Sequence, residues 1–149
     1  MPSFMIALIQ RVSRASVSVD GQIIGRIDQG LLALIGVHRD DTPADIDRLA
    51  ERVLGYRVFS DAEGRMNRSV RDIEGGLLLV PQFTLAADTK KGTRASFTRA
   101  AEPATASNYF DKLVETTRKS LKTVETGQFG ADMKVELVND GPVTFWLET

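Results

Sequence analysis

The first third of the chain alternates hydrophobic and polar residues in the way that β-strands require. Residues 5–12 are mainly apolar, and residues 15–20 alternate apolar residues with serine and aspartate, the period of a half-buried strand. Asp20-Gly21 is a strong hairpin turn signal, so residues 22–27 are predicted to return beside the preceding strand. Residues 31–37 are continuously apolar, which predicts a strand covered on both faces.

Two later segments have the period of an amphipathic helix. The first opens at Thr42-Pro43, where threonine offers a capping oxygen and proline suits the first helical position. The second opens at Pro103. The residues predicted to be buried are Ile46, Leu49, Ala50 and Val53 in the first helix, and Ala106, Tyr109, Phe110, Leu113, Val114 and Leu121 in the second. Further strands are predicted at 56–59, 77–80, 133–138 and 143–147. Strands mixed with two main helices predict a single α/β domain with a mixed β-sheet over residues 1–149.

Composition narrows the chemistry more than it narrows the fold. The 149 residues contain no cysteine, which removes a thiol nucleophile, a zinc–thiolate site and a disulfide framework together. The absence of cysteine fits a reducing cytoplasm. The N-terminal residues do not have the pattern of a signal peptide, and no apolar run is long enough to cross a bilayer. We therefore expect a cytoplasmic protein with no membrane partner.

Charge allows nucleic-acid contact only through a local patch. Nineteen basic residues stand against 20 acidic residues, a net charge of −1, whereas a general nucleic-acid binder is usually basic. One candidate patch is a basic cluster within residues 88–99, where Asp88 is the only acidic residue. The cluster comprises Lys90, Lys91, Arg94 and Arg99. From charge alone, this stretch is either a solvated loop or an RNA contact.

Side chains that usually carry catalysis are scarce. His38 is the only histidine, and nothing near it resembles a nucleophile elbow, so a structural or surface role is predicted for it. No acidic cluster has the spacing of a metal site. Thr84 is either a nucleophile, an orienting hydroxyl or an ordinary strand-end hydrogen bonder. At Gly141-Pro142, glycine allows close approach to its peptide and proline makes a cis bond accessible. Any site here therefore depends on peptide groups.

Several segments together resemble the D-aminoacyl-tRNA deacylase family of the bacterial and eukaryotic type, and the resemblance spans almost the whole chain. Each motif is weak alone, but their order and spacing are specific. The matching segments are Met5–Val12, Gly30–Leu32, Phe59–Asp61, Gly64–Asn67, Gln82–Leu85, Gly92–Phe97, Thr126–Met133 and Asn139–Thr144.

The resemblance implies a D-tyrosyl-tRNA deacylase-like fold with a barrel-like sheet. It also implies a homodimer that cleaves the ester between a D-amino acid and the terminal adenosine of tRNA, and that removes glycine from mischarged tRNA. The substrates would be D-aminoacyl-tRNA and Gly-tRNA. No cofactor, no metal and no other protein partner are implied.

The same resemblance assigns roles to individual residues. The Gly141-Pro142 peptide would be cis and would project into the partner subunit's site, where its carbonyls exclude L-amino acids. The backbone N–H groups of Phe83 and Thr84 would hold the developing oxyanion, with the Thr84 hydroxyl as an alternative participant. Gln82 would shape the adenosine-side pocket.

Other positions support that site or depart from the family. Arg11 matches an arginine that supports the Gly-Pro loop, and Met133 matches a residue packed beside that loop. Pro81 lies in the substrate-binding segment, where the family usually has serine, so the local geometry is expected to differ. Ala95 stands where the family often has proline. Residues 1–4 have the character of an N-terminal extension.

Two alternatives remain open at this stage. One is a nucleic-acid-binding module with little or no hydrolysis, since some eukaryotic relatives are associated with DNA binding. The other is a relative with a trans Gly-Pro peptide that acts on L-aminoacyl-tRNA. The intact Gly141-Pro142 and Gln82 to Thr84 segments favour the enzyme, and Arg11 favours the cis form.

Overall fold

The computed structural model of the protein describes residues 4–149, which form one mixed sheet, a small two-stranded sheet and two α-helices. The elements are β1 (Ile6–Val19), β2 (Gln22–Ile27), β3 (Gly30–Gly36), α1 (Pro43–Gly55), β4 (Phe59–Ser60), β5 (Met66–Arg68), β6 (Gly76–Pro81), a 3-10 helix (Phe83–Ala86), α2 (Pro103–Arg118), β7 (Val124–Thr126) and β8 (Lys134–Glu148). The expected N-terminal extension falls mostly on residues 1–3, which lie outside the described residues.

The large sheet is mixed and curled, as predicted. Its order is β2-β1-β3-β6-β7, and β8 pairs with the other side of β1. The pairings β3–β6 and β6–β7 are parallel, whereas β1 pairs antiparallel with β2, β3 and β8. The two ends of this order approach each other, because a Cβ at Gly25 of β2 would lie 2.8 Å from the Thr126 oxygen of β7. The barrel-like fold is therefore confirmed.

The two strands predicted at 5–12 and 15–20 are one strand, β1. Ser13 and Arg14 are exposed, which broke the apolar pattern, but the backbone stays extended because β8 pairs along almost the whole of β1. The other side of β1 pairs with β3 in its first half and with β2 in its second half. The Asp20-Gly21 hairpin is confirmed, with φ of 50° and 78°.

The core has two layers because β3 and β6 are buried on both faces, as the continuous apolar run predicted. Leu31, Ala33 and Ile35 face α1 and α2, whereas Leu32 packs with Leu78 inside the curled sheet. Both predicted helices are confirmed, and the Asp45 carboxylate accepts a hydrogen bond from the Thr42 N–H (2.8 Å) at the start of α1. All the residues predicted to be buried in the two helical segments are buried, except Tyr109, which is partly buried.

Smaller elements were predicted less well. Of the strand predicted at 56–59, only Phe59 is in β4, and α2 ends at Arg118, so the buried Leu121 lies in the following turn. Strands β5 and β7 and the 3-10 helix were not predicted. No helix within residues 4–149 is long and apolar enough to span a membrane.

Candidate active site

The chain leaves the sheet at Pro81 and enters the 3-10 helix. The Gln82 N–H donates to the Ile35 carbonyl (2.7 Å), which completes the pairing with β3, and the Leu85 N–H then donates to the Gln82 carbonyl (3.2 Å). Gln82, Phe83 and Thr84 were considered as ordinary strand-end residues from pattern alone. They form a helical turn instead. The next acceptor on this side, the Val37 carbonyl that follows β3, is already bonded to the Ala101 N–H (3.0 Å).

Pro81 occupies the last position of β6. Successive N–H groups of a strand point to opposite sides, and the Leu77 N–H donates to Thr123 on the β7 side (3.0 Å). The nitrogen of Pro81 faces the same side, but β7 already ends at Thr126. Proline is tolerated where no ladder bond is required, so this departure from the family pattern leaves the strand intact.

The start of the 3-10 helix presents two backbone donors. The first N–H groups of a helix have no acceptor within the helix, and those of Phe83 and Thr84 have no acceptor elsewhere among residues 4–149. Both residues are exposed. The Gln82 side-chain amide donates to the Thr84 hydroxyl, which fixes that side chain beside the two N–H groups.

A pocket of about 480 Å³ opens beside this helix. It lies between the end of β6, the start of α2 and the segment that leads into β8. Its lining residues are Val80, Pro81, Gln82, Phe83, Ala101, Pro103, Ala106, Phe129, Gly130, Ala131, Asp132, Met133 and Val135. Its volume lies within the range of small-molecule sites. The structure thus brings together four predicted site residues, Pro81, Gln82, Phe83 and Met133.

Sequence reasoning missed most of the remaining wall. The Phe129 to Asp132 stretch was part of the family resemblance, but only Met133 was assigned a role. The Met133 sulfur lies 3.4 Å from the Gln128 nitrogen and accepts its N–H, and a Cβ at residue 127 would lie 2.8 Å from that sulfur. The α2 residues of the wall looked like ordinary core positions, and no sequence signal distinguished them.

The segment Asn139–Thr144 is a bulge in β8. On β1, Gln10 pairs with Thr144 and Val12 pairs with Asn139, so residues 140–143 stand opposite Arg11 alone. The strands predicted at 133–138 and 143–147 are therefore one strand interrupted by this bulge. The Asn139 side chain closes it, because its oxygen accepts the Val143 N–H (2.7 Å) and its nitrogen donates to the Thr144 hydroxyl (2.9 Å).

Arg11 connects the bulge to the segment before β4 through hydrogen bonds. Its Nε donates to the Asp140 carbonyl (2.8 Å), and its Nη1 donates to the Val58 carbonyl (2.7 Å). At the tip, the Gly141-Pro142 peptide is cis, unlike the trans form of the second alternative, and Gly141 has a φ of 146°. Arg11 and Asp140 also line a separate cavity of about 540 Å³ with Gln29, Phe59, Ser60, Arg68 and Ile73.

The bulge and the pocket are separate within one chain. None of the residues that line the pocket belongs to residues 139–144, and Met133 lies in the pocket wall rather than at the bulge. The structure therefore groups the predicted residues into two sets, with Pro81, Gln82, Phe83, Thr84 and Met133 in one and Arg11, Gly141 and Pro142 in the other.

The basic cluster lies on an exposed loop, and Phe97 of this loop contacts Phe83 of the pocket lining. Lys90, Lys91, Arg94 and Arg99 are all exposed, and the loop is closed by paired backbone hydrogen bonds between Asp88 and Ser96 (2.7 and 2.9 Å). The Lys90 N–H donates to the Asp88 carboxylate (3.0 Å), and this bond, with nearby cations, holds the pKa of Asp88 below its usual value.

His38 is not part of the pocket. Its backbone N–H donates to the Asp41 carboxylate (2.6 Å), and its Nδ1 accepts the Asp40 N–H (3.3 Å). Burial raises the pKa of Asp41 to about 7, against the lowering effect of the His38 hydrogen bond. Within the described residues, no group of three histidine, cysteine or acidic side chains is placed to hold a metal ion.

Comparisons with known proteins agree with this architecture. The family model described as D-Tyr-tRNA(Tyr) deacylase matches residues 8–148. A D-aminoacyl-tRNA deacylase of Alkalilimnicola ehrlichii is 65% identical over 97% of this chain and 96% of its own, and one of Vibrio cholerae is 59% identical over 97% and 99%.

Solved structures extend the likeness to the fold. The c-Myc DNA Unwinding Element Binding Protein is 37% identical, with a TM-score of 0.93, over 97% of this chain and 99% of its own. A probable eukaryotic D-amino acid tRNA deacylase shares the fold, with a TM-score of 0.87 at 15% identity over 98% of this chain and 100% of its own.

Proposed function

Because this chain belongs to the D-Tyr-tRNA(Tyr) deacylase family, we propose that it hydrolyses the ester between a D-amino acid and the terminal adenosine of tRNA. The reaction releases free D-amino acid and uncharged tRNA. We place this work in the cytoplasm, where aminoacyl-tRNA is used. The observation that supports the proposal most directly is the pocket of about 480 Å³ beside two unpaired backbone N–H groups.

The chemistry we propose needs peptide groups rather than an acidic or basic side chain. Water attacks the ester carbonyl carbon, and the carbonyl oxygen gains negative charge. The N–H groups of Phe83 and Thr84 donate hydrogen bonds to that oxygen. Preorganised donors of this kind are each worth about 10²–10³ in rate. The bond to the ribose 3′-oxygen then breaks, and a proton from the attacking water reaches that oxygen through the neighbouring 2′-hydroxyl.

The proposed selectivity comes from the Asn139–Thr144 bulge of a partner subunit. Its Gly141 and Pro142 carbonyls would stand near the α-carbon of the bound amino acid, where they obstruct an L side chain. A D side chain points away, and glycine has no side chain to obstruct. Glycine mischarged on alanine tRNA is therefore a proposed second substrate. A wall built against the wrong enantiomer is specificity by rejection.

Two features support a homodimer that shares its sites in this way. The bulge lies apart from the pocket of its own chain, so it is available to another chain. Strand β8 pairs only with β1 among the described strands, which leaves its second edge without a partner. That strand also exposes Val135, Val138, Phe145 and Trp146. A long edge strand with exposed apolar residues is a surface that proteins usually cover.

Hydrolysis of three esters by the purified protein tests the proposal. We expect rapid release from D-tyrosyl-tRNA and glycyl-tRNA, and slow release from L-tyrosyl-tRNA, with a chelator present throughout. Equal release from the two tyrosyl enantiomers would contradict selectivity by the bulge. No release from the D-ester would contradict the enzyme itself.

A second candidate function is nucleic-acid binding without hydrolysis. The exposed basic loop favours it, as does the likeness to a protein titled as a binder of a DNA unwinding element. The net charge of −1 disfavours tight non-specific binding, which needs many phosphate contacts. DNA binding by a protein that spares every aminoacyl ester would support this candidate.

A further inference from the structure

Two phenylalanine rings form an exposed pair at the rim of the pocket. Phe83, from the 3-10 helix, is 57% exposed, and Phe97, from the basic loop, is 46% exposed. Their ring centroids lie 5.2 Å apart with the planes tilted by 45°. Two large aromatic side chains left this exposed at one place mark a binding surface more often than an isolated apolar residue does.

The loop that carries Phe97 is rich in basic residues. Between Asp88 and Arg99 the loop carries Lys90, Lys91, Arg94 and Arg99, opposed by the Asp88 carboxylate alone. Asp88 is already engaged at the base of the loop by the Lys90 N–H, and it lies 3.9 Å from the Arg99 guanidinium. Lys90, Lys91 and Arg94 are exposed on the same loop as Phe97, in a chain whose total charge is −1.

We infer that Phe97, together with the ring of Phe83, is a stacking platform for the unpaired nucleotides that precede the terminal adenosine of tRNA, and that the loop cations hold their phosphates. This inference rests on the proposed function and extends it to the RNA outside the pocket. Aromatic rings interleaved with a positive surface are the general means by which proteins bind single-stranded nucleic acid.

The position of the rings determines which nucleotides they meet. Phe83 lines the pocket, whereas Phe97 packs on Phe83 and is not part of the lining. A strand that leaves the pocket therefore passes the Phe83 ring before it reaches Phe97 and the loop. Every base has a flat face, so such stacking would serve all tRNAs without reading their sequence.

Substrates of different length test the inference. We would compare D-tyrosyl-tRNA, the D-tyrosyl ester of the trinucleotide CCA, and D-tyrosyl-adenosine, each with the wild type, Phe97→Ala and Phe97→Tyr. We expect Phe97→Ala to raise KM for the two longer substrates by about 5- to 150-fold, the range found when a base-stacking aromatic is truncated. Phe97→Tyr keeps a ring and should restore KM, and the KM for D-tyrosyl-adenosine should change in neither variant.

The outcomes separate this inference from the proposed function. Wild type that cleaves no ester contradicts both. Wild type that cleaves the esters, with KM for tRNA unchanged in Phe97→Ala, overturns the platform alone. An equal change for D-tyrosyl-adenosine would also overturn it, because the ring would then be shaping the pocket. If the wild type does not cleave D-tyrosyl-adenosine, the test rests on D-tyrosyl-CCA. A KM for D-tyrosyl-CCA that is unchanged in Phe97→Ala would then overturn the platform.

Two controls complete the experiment. Ile23→Ala truncates another exposed apolar residue, 61% exposed on β2, and should leave every KM unchanged. A single-stranded DNA of sequence ACCA serves as a competitor beside the matching RNA. If Phe97→Ala weakens DNA binding while the KM for tRNA stays constant, the surface serves DNA rather than the substrate, and the inference is wrong.

Discussion

At the scale of single residues, the tip of the bulge has the least freedom to vary. Gly141 has a φ of 146°, and a Cβ there would lie 2.7 Å from the Val143 Cγ2 and 3.2 Å from an Arg11 nitrogen. Alanine must therefore displace the tip. Displacement of a positioning group by about 1 Å can cost up to about 10² in rate.

We expect Gly141→Ala to lower kcat/KM for D-tyrosyl-tRNA and to reduce the discrimination against the L-enantiomer. Steady-state kinetics with both enantiomers measures both effects. Gly21→Ala is the matched control, because Gly21 also has positive φ, 78°, but no atom of the described residues lies within 4 Å of its added Cβ. The control should lose stability without a change in selectivity. Unchanged selectivity in Gly141→Ala would contradict the proposed wall.

Thr84 separates a backbone role from a side-chain role. Its hydroxyl accepts a hydrogen bond from the Gln82 amide, whereas its N–H is the proposed oxyanion donor. We expect Thr84→Ala to keep most of its activity, with kcat reduced less than about tenfold, because loss of one neutral hydrogen bond costs about 1 kcal/mol. Single-turnover kinetics would measure this. A complete loss of kcat with normal tRNA binding would instead identify the hydroxyl as a nucleophile.

At the scale of elements, local sequence predicted whatever had a local cause. The Thr42-Pro43 start of α1 and the Asp20-Gly21 turn each depend on a few adjacent residues, and both are confirmed. The continuity of β1 through Ser13 and Arg14 depends on pairing with β8, more than a hundred residues away, so no local pattern could show it.

The site divides in the same way. Residue types showed only that a cis bond was accessible at Gly141-Pro142. The family resemblance supplied the cis state, which the structure has, and the roles of Gln82, Phe83 and Thr84. The 3-10 helix was not predicted, because it begins where the Val37 carbonyl already accepts the N–H of Ala101, a residue distant in the sequence. The α2 part of the pocket wall depends on how that helix packs. The sequence shows only that one face of the helix is apolar.

The start of α1 also contains a carboxyl group whose ionisation opposes folding. Asp41 is 8% exposed, its Oδ1 has no hydrogen-bond partner among residues 4–149, and burial raises its pKa from 3.8 to about 7. Between those values the native state keeps a proton that the unfolded chain has released. The free energy of unfolding should therefore fall as pH rises from about 4 to 7 and then level off, by at most about 4 kcal/mol.

Urea unfolding of the wild type and of Asp41→Asn across this pH range tests the expectation. The variant cannot ionise, so the difference between the two free energies of unfolding should move in its favour as pH rises. A difference that stays constant from pH 4 to 8 would show that Asp41 titrates normally. Activity on D-tyrosyl-tRNA is a useful companion, since Asp41 lies outside the pocket lining.

At the scale of the whole molecule, the separation of pocket and bulge predicts complementation between two variants of low activity. Ala131→Trp fills the pocket, and Gly141→Ala displaces the bulge. Mixed dimers would contain one site with an intact pocket and an intact bulge. Random exchange of an equal mixture should restore roughly a quarter of the sites, because half of the dimers are mixed and each has one complete site.

Activity measured after subunit exchange, with the mass of the species followed by sedimentation, is the direct test. Recovery towards that level requires both a dimer and a site built from two chains. A dimer that recovers no activity would indicate that each bulge reaches the pocket of its own chain, which requires a rearrangement. A monomer with full wild-type activity would exclude the shared site.

The unpaired N–H groups at the start of the 3-10 helix have a consequence for genetics. Every residue except proline carries the same N–H, so a saturation screen at position 84 should tolerate most side chains. Proline is accepted in the first turn of a helix, so it would remove this one donor with little change in the backbone. A map of fitness effects would then show a single intolerant substitution, the opposite of the profile that a catalytic side chain leaves.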